Sequence, residues 1–463
     1  LKTRLKPGSK TAKHTSIPRE FARYTSLSIM AMLSLSCYIL ADTIFIANGI
    51  GAYGLAALNF ALPVFGLVFG IALMLGIGGG AKYAILKNQG DVAGANKIFT
   101  MTILIMLIFA AVFVTLGLLF APAIATAFGA SGHVFTMSKT YLQVVLASSP
   151  ILMANAVLAS FVRNDGAPRT AMLSMVSTSM ANIALDYLFI FTLDMGMFGA
   201  AFATTVANFV GFAIIMYHFV GKKGALRLVR TAITKAAGGI FAIGLPTLVT
   251  EISISMVLVV FNTIIFGLSG DMGVAAYGVI ANILIVIIAM FNGIAQGVQP
   301  LISKYYGQGS GATARLVVRY ALILMAAMAA LVYGAGFLFA YPIAGAFNNE
   351  SNLLLQQLAV QGLRIYFVGV VFAGFNIIVS MYFAATDRPR PAQVVSVLRG
   401  FVVILPLVFL LSAAFGVTGV WLTFPMAELL VCMGCGGYLL WRKKKTAYAE
   451  SRFGMIKEEQ ARD

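Results

Sequence analysis

Asp42 is the one charged residue between Tyr24 and Ala81, inside the apolar stretch 35–46. A carboxylate at membrane depth is expensive and as a rule faces a water-filled cavity or a partner. Tyr38 lies four residues earlier, so its hydroxyl shares a helical face with the acid. Asp186 follows Asn182 at the same interval, and Thr204 precedes Asn208 by it in the next apolar run. If the helices carrying Asp42, Asp186 and Thr204 pack together, carboxylate, amide and hydroxyl oxygens meet at similar depth. Such a set suits a hard cation, which takes oxygen ligands. It equally suits a proton held between two acids that cannot both ionise cheaply in a low dielectric. The competing use is as hydrogen-bonding glue between helices, for which two acids are more than is required.

The second half of the chain has its own mid-span acids, Glu251 after Pro246 and Glu428 after Pro425. They could hold a cationic substrate, or pair with donors such as Gln296, Gln299 or Tyr277. Asn262 stands where the first half has Asp42. Other chemistry is missing. There is no Gly-x-x-x-x-Gly-Lys-Ser/Thr loop for nucleotide hydrolysis. His14, His133 and His218 form no metal-spaced group, and Cys37, Cys432 and Cys435 lie in apolar runs. No cofactor and no enzyme activity are expected, and an ion gradient is the energy source that remains.

The elements that must position these groups follow from composition. The 463 residues are 60% hydrophobic and 10% charged, with mean hydropathy +0.94. A soluble chain would carry about 25% charged residues, so an all-α polytopic membrane protein is predicted. Twelve apolar runs are long enough to span a bilayer as helix: 22–46, 55–81, 98–120, 136–161, 171–193, 197–220, 239–267, 275–301, 316–341, 355–384, 393–414 and 417–441. The net charge of +17 does not mark a nucleic-acid binder. Its Lys and Arg gather before residue 24, at 82–97, 163–169, 222–235, 304–319 and 388–399, and from Arg442 onward. Clusters after every second run are the positive-inside pattern, with both termini cytoplasmic.

The second half repeats the first at an offset near 220. Ala41-Asp-Thr-Ile matches Phe261-Asn-Thr-Ile, Pro168-Arg169 matches Pro389-Arg390, and Gly196-Met-Phe-Gly199 matches Gly416-Val-Thr-Gly419. The expected organisation is a basic segment 1–21, a six-helix lobe 22–220, a linker 221–238, a second lobe 239–441 and a basic tail 442–463. Two parallel six-helix repeats around a cleft are one architecture of alternating access.

At these residues the chain resembles the multidrug and toxic compound extrusion (MATE) family, and looks most like its DinF-like branch. The likeness runs over essentially the whole chain. It is carried by Ala41-Asp-Thr-Ile-Phe-Ile, Phe161-Val-Arg-Asn-Asp-Gly-Ala-Pro-Arg-Thr, Asn182-Ile-Ala-Leu-Asp186, the stretch Gly196 to Thr204, and Gly244-Leu-Pro. The resemblance implies antiport of an organic, cationic or amphipathic solute against Na⁺ or H⁺. It implies a coupling site at Asp42, Asn182, Asp186 and Thr204, with Tyr38, Tyr141 and Asn155 as a polar shell. Where a second-half ion site would add a glutamate one turn past Glu251, this chain has Ile254. Glu251 is therefore offered as a substrate contact, with Asn262, Tyr277, Gln296 and Glu428 as further cleft positions. Family members export drugs, dyes or products of their host's biosynthesis. The expected setting is the inner membrane, as a monomer. The alternative is a flippase for lipid-linked oligosaccharide, which needs basic residues in the cleft; Arg364 is its one candidate.

Overall fold

A computed structural model describes residues 16–221, 224–348 and 352–460. Residues 1–15 of the expected basic segment, Lys222 and Lys223 of the linker, and 461–463 of the tail lie outside the described residues. The described residues are helical throughout their regular elements, with no strand.

The first half runs α1 (Ile17–Gly49), α2 (Ala52–Asn88), α3 (Val92–Thr115), α4 (Ala121–Ala127), α5 (Gly132–Ala147), α6 (Ser149–Asn164), α7 (Pro168–Tyr187) and α8 (Gly196–Val220). The second runs α9 (Ala236–Gly307), α10 (Gly311–Leu338), α11 (Ala340–Ala346), α12 (Leu353–Tyr366), α13 (Gly369–Ala385), α14 (Pro389–Val397) and α15 (Ile404–Gln460). Single π-helical turns follow α3, α7 and α14, at Leu116–Phe120, Leu188–Thr192 and Leu398–Val402.

Among the described residues, eight helices are long and apolar enough to cross a membrane, or ten when the bent pairs α5/α6 (52°) and α12/α13 (44°) each count as one span. Two of the ten reverse direction, which makes twelve passes. At about 1.5 Å per residue, the 72 residues of α9 would outrun a hydrocarbon core of about 30 Å more than threefold. The chain instead turns back at Gly270, whose φ of 59° is open to glycine and strained for other residues. Phe261 stacks on Tyr277 across that turn, with centroids 5.6 Å apart. Gly416 (φ 58°) does the same between the two arms of the α14–α15 run. Their counterparts near the repeat offset, Gly51 (φ 85°) and Gly196 (φ 55°), make the same turns in the first half. Pro168 and Pro389 each open a helix, where the missing N–H leaves no bond unmade.

The linker is not loose. Residues 224–235 run along α3: the Arg227 N–H donates to Asn96 Oδ1 (2.9 Å) and the Val229 N–H to Thr100 Oγ1 (3.0 Å). The Ala225 N–H donates to Asp165 Oδ2, while Asp165 also pairs with Lys87 and accepts from Tyr83.

The halves meet near the basic loops. Their seam is built on glycines, because only a missing Cβ lets two helix backbones come this close. A Cβ on Gly244 would lie 1.9 Å from Met74 O, one on Gly78 2.1 Å from Ile240 O, and one on Gly297 2.8 Å from Thr25 Cα. Polar pairs lace the same end: Lys304 with Glu20, Asn164 with Gln299, and Arg163 with Gln296. No hydrogen bond joins the halves near the opposite end among the described residues. A bulky side chain in the seam should therefore pry this end apart. Gly297→Leu is expected to lengthen the distance between spin labels at the exposed Lys97 and Arg315 by several ångströms; unchanged distances would mean that the seam can absorb the side chain.

Candidate functional site

α1 packs along α7, and α7 along α8. This brings together the faces on which the i, i+4 spacing set Asp42, Asn182 with Asp186, and Thr204. All four are buried, and Asp186 is 0% exposed. The Asn182 amide donates to Thr204 Oγ1 at 3.2 Å. The two carboxylates are near enough to repel each other, and the buried hydroxyls of Tyr38 and Tyr141 lie within the field of both. Asp42 Oδ1, Asn182 Oδ1 and both oxygens of Asp186 receive no hydrogen bond from the protein. Four buried acceptors on two packed helices, with no donor from the protein, call for a partner. A hard cation takes oxygens of this kind as ligands, whereas one proton shared between the carboxylates would engage two of the four. No group of three or more His, Cys, Asp or Glu ligands exists among the described residues. The π turn Leu188–Thr192 begins two residues after Asp186, a distortion often found at functional positions.

Asn155 sits one turn nearer the basic end than the acids. Its amide donates to Asn208 Oδ1 (3.0 Å) and Thr178 Oγ1 (3.3 Å), and its Oδ1 accepts from Ser174 (2.9 Å). The Asn208 amide donates in turn to Thr204 O. A polar ladder thus descends from the carboxylates through α7 and α8.

The second half answers that ladder with charge. Asn376, Arg399 and Glu428 occupy the repeat positions of Asn155, Thr178 and Asn208. Arg399 grips Glu428 with three hydrogen bonds of 2.7–3.0 Å, and the Asn376 amide donates to Glu428 Oε2 at 2.7 Å. The repeat positions of Asn182, Asp186 and Thr204 hold Val403, Leu407 and Phe424, so the carboxylate pair has no second-half counterpart.

Other expected cleft residues are committed inside the protein. Glu428 is engaged by Arg399. Gln296 accepts from Arg163 at 2.8 Å. Tyr277 is core, 3% exposed, between Phe261 and Trp421. Glu251 and Asn262 keep free polar atoms. Glu251 lies on the face of α9 that meets α2, where its Cβ is 3.1 Å from a Cβ built on Gly70. Sequence reasoning missed Arg163, Asn376 and Arg399. The two arginines read as members of span-end basic clusters, and only the repeat offset to Asn155 and Thr178 could have marked Asn376 and Arg399.

Residues 28–188 and 246–410 match the family model MatE. The chain is 25% identical over 431 residues to the multidrug export protein MepA of Staphylococcus aureus, covering 92% of each chain. It is 24% identical over 382 residues to MepA of Staphylococcus saprophyticus, covering 82% of this chain and 84% of the relative. Its fold superimposes on an outward-facing multidrug resistance MATE family transporter of the MOP superfamily with a TM-score of 0.86, at 25% identity over 95% of this chain and 99% of that one. A MATE structure in a bent conformation gives 0.84 at 24% identity, over 96% and 99%.

Proposed function

The chain belongs to the MatE family, and on that premise we propose that it exports organic, cationic or amphipathic compounds in exchange for H⁺ or Na⁺. Family members are membrane transporters, not enzymes. The observation that carries the coupling is the set of four orphan oxygens of Asp42, Asn182 and Asp186, held by α1 and α7 beside Thr204 of α8. Ion occupancy there changes the charge buried between α1 and α7. α1 also packs by its first turns against the second-half core, through Tyr24, Phe21 and Ile29. One helix thus connects the ion site to the seam, which is what rocking of two lobes 22–220 and 239–441 needs. With the basic loops in the cytoplasm of an inner-membrane protein, both termini are cytoplasmic and the glycine seam closes the cytoplasmic side. That supports an outward-facing state for a monomer. Asn155 and its ladder give the ion a polar route toward the seam, with Tyr38 and Tyr141 lining the site.

Glu251, where the first arm of α9 meets α2, and Asn262 on the same arm are the proposed substrate contacts. The relatives named multidrug export proteins support drugs or similar solutes as cargo. The flippase reading lacks its basic cleft: Arg364 packs over Phe337 of α10 in its own half.

The test is dye efflux from proteoliposomes under an imposed pH or Na⁺ gradient. Glu251→Gln is expected to weaken a cationic dye about tenfold, the scale of one lost charge contact of about 1.4 kcal/mol, and a neutral solute far less. Equal weakening of both would remove Glu251 from the cleft. Gradient-independent leak by the wild type would remove coupling.

A further inference from the structure

An open groove where α11 meets α12 of the second half holds about 380 Å³, lined by Tyr341 of α11 and by Gln357, Val360, Gln361, Arg364 and Ile365 of α12. Gln357, Gln361 and Arg364 fall at i, i+4 and i+7, so they form one stripe on α12, and all three are exposed. Arg364 lies about 16 Å along the helix from Leu353, counting about 1.5 Å per residue. Its neighbour on the stripe, Gln361, bonds Thr418, two residues past the Gly416 turn, so the stripe lies near the end of the lobe opposite the basic loops. An arginine there needs an anion or water. Among the described residues no carboxylate pairs with it and no hydrogen bond engages it; the guanidinium carbon lies 5.1 Å from the centroid of the Phe337 ring. The Gln357 amide likewise has no partner. Gln361 bonds Thr418 through one amide hydrogen and keeps the other.

Leu338, Phe339, Tyr341 and Leu353, where α10 ends and α11 and α12 begin, are 58–76% exposed, large apolar side chains suited to lipid. A mainly apolar groove that carries an unpaired guanidinium and free amide groups has the chemistry of a phospholipid: a phosphodiester for Arg364, Gln357 and Gln361, and acyl chains along the apolar side chains. A guanidinium takes phosphate oxygens in a bidentate fork, and the two glutamines can donate to the remaining oxygens.

We infer that this groove is a binding site for the phosphodiester headgroup of a phospholipid in the leaflet opposite the basic loops, with Arg364 as its anchor. The site is separate from the carboxylate pair and does not rest on the transport reading.

Native mass spectrometry of the detergent-solubilised full chain, titrated with phosphatidylglycerol, tests it. One phosphatidylglycerol is expected to be held well above the non-specific background, with diacylglycerol, which lacks the phosphate, failing to replace it. Arg364→Gln should weaken that one molecule about tenfold, the cost of one charge-assisted contact, and Arg364→Lys less. Gln357→Leu provides a second, charge-neutral reading should Arg364→Gln lower the yield of folded protein. Equal retention by wild type, Arg364→Gln and Gln357→Leu would overturn the site. Displacement of the lipid by millimolar glycerol 3-phosphate would overturn the lipid assignment and give the groove to a soluble phosphate.

Discussion

Asp42→Asn and Asp186→Asn should each give a folded, membrane-inserted protein that no longer exports against a gradient. The amide keeps the side-chain volume, and neither carboxylate is tied into the protein by hydrogen bonds at its orphan oxygens, so packing of α1 on α7 should survive. What is lost is ion chemistry. An amide does not take up and release a proton, and it neutralises Na⁺ poorly. Each charge carried through the membrane field supplies about 2.3 kcal/mol per 100 mV, which is roughly a fiftyfold bias per charge. A ligand that binds two states equally shifts neither, so without differential ion binding that bias disappears. Gradient-driven efflux should fall to the passive level. Thermal stability should hold or rise, because one of two mutually repelling buried groups has been removed. Proteoliposome efflux and a melting curve for each variant decide the matter. Full efflux by both single variants would dismiss the site; collapse of both melting curves would return the acids to helix glue.

Glu428→Gln should cost more stability than any other single change considered for the second half. Glu428 is 5% exposed and Arg399 grips it bidentately. Removing the negative partner leaves a guanidinium buried and uncompensated at about 3–5 kcal/mol. Adding Arg399→Met should recover most of that loss, since replacing both members of a buried ion pair is often neutral. The amide introduced at position 428 can still accept from Asn376 in the double variant. The melting temperature of the single variant should therefore lie below that of the double. If the single variant melts with the wild type, or the double melts lower than the single, the pair is not the fixture that the geometry implies. The first half makes the comparison natural, because at the repeat positions it uses the neutral Asn155, Thr178 and Asn208.

The amino-acid sequence by itself determined the membrane class, the twelve passes and the repeat, and it marked Asp42 and Asp186 as candidates. These rest on short-range regularities: an apolar run long enough to span, a helical period that puts Asn182 and Asp186 on one face, and basic clusters after every second run. Asp42 was legible because it is the lone charge in a long apolar stretch. The tertiary structure alone decided which polar groups meet. Arg399 and Glu428 are 29 residues apart and Arg163 and Gln296 are 133 apart, and nothing local couples them. A charge count along the chain cannot separate an arginine that reaches to water from one that turns into a helix interface, because both sit at the same distance from a span end. The same holds for Tyr277, polar at its tip yet stacked in the core, and for Gly78, Gly244 and Gly297, ordinary membrane glycines until distant backbones are laid against them. Periodicity fixes the face a residue occupies; only the packing of remote helices fixes what that face touches.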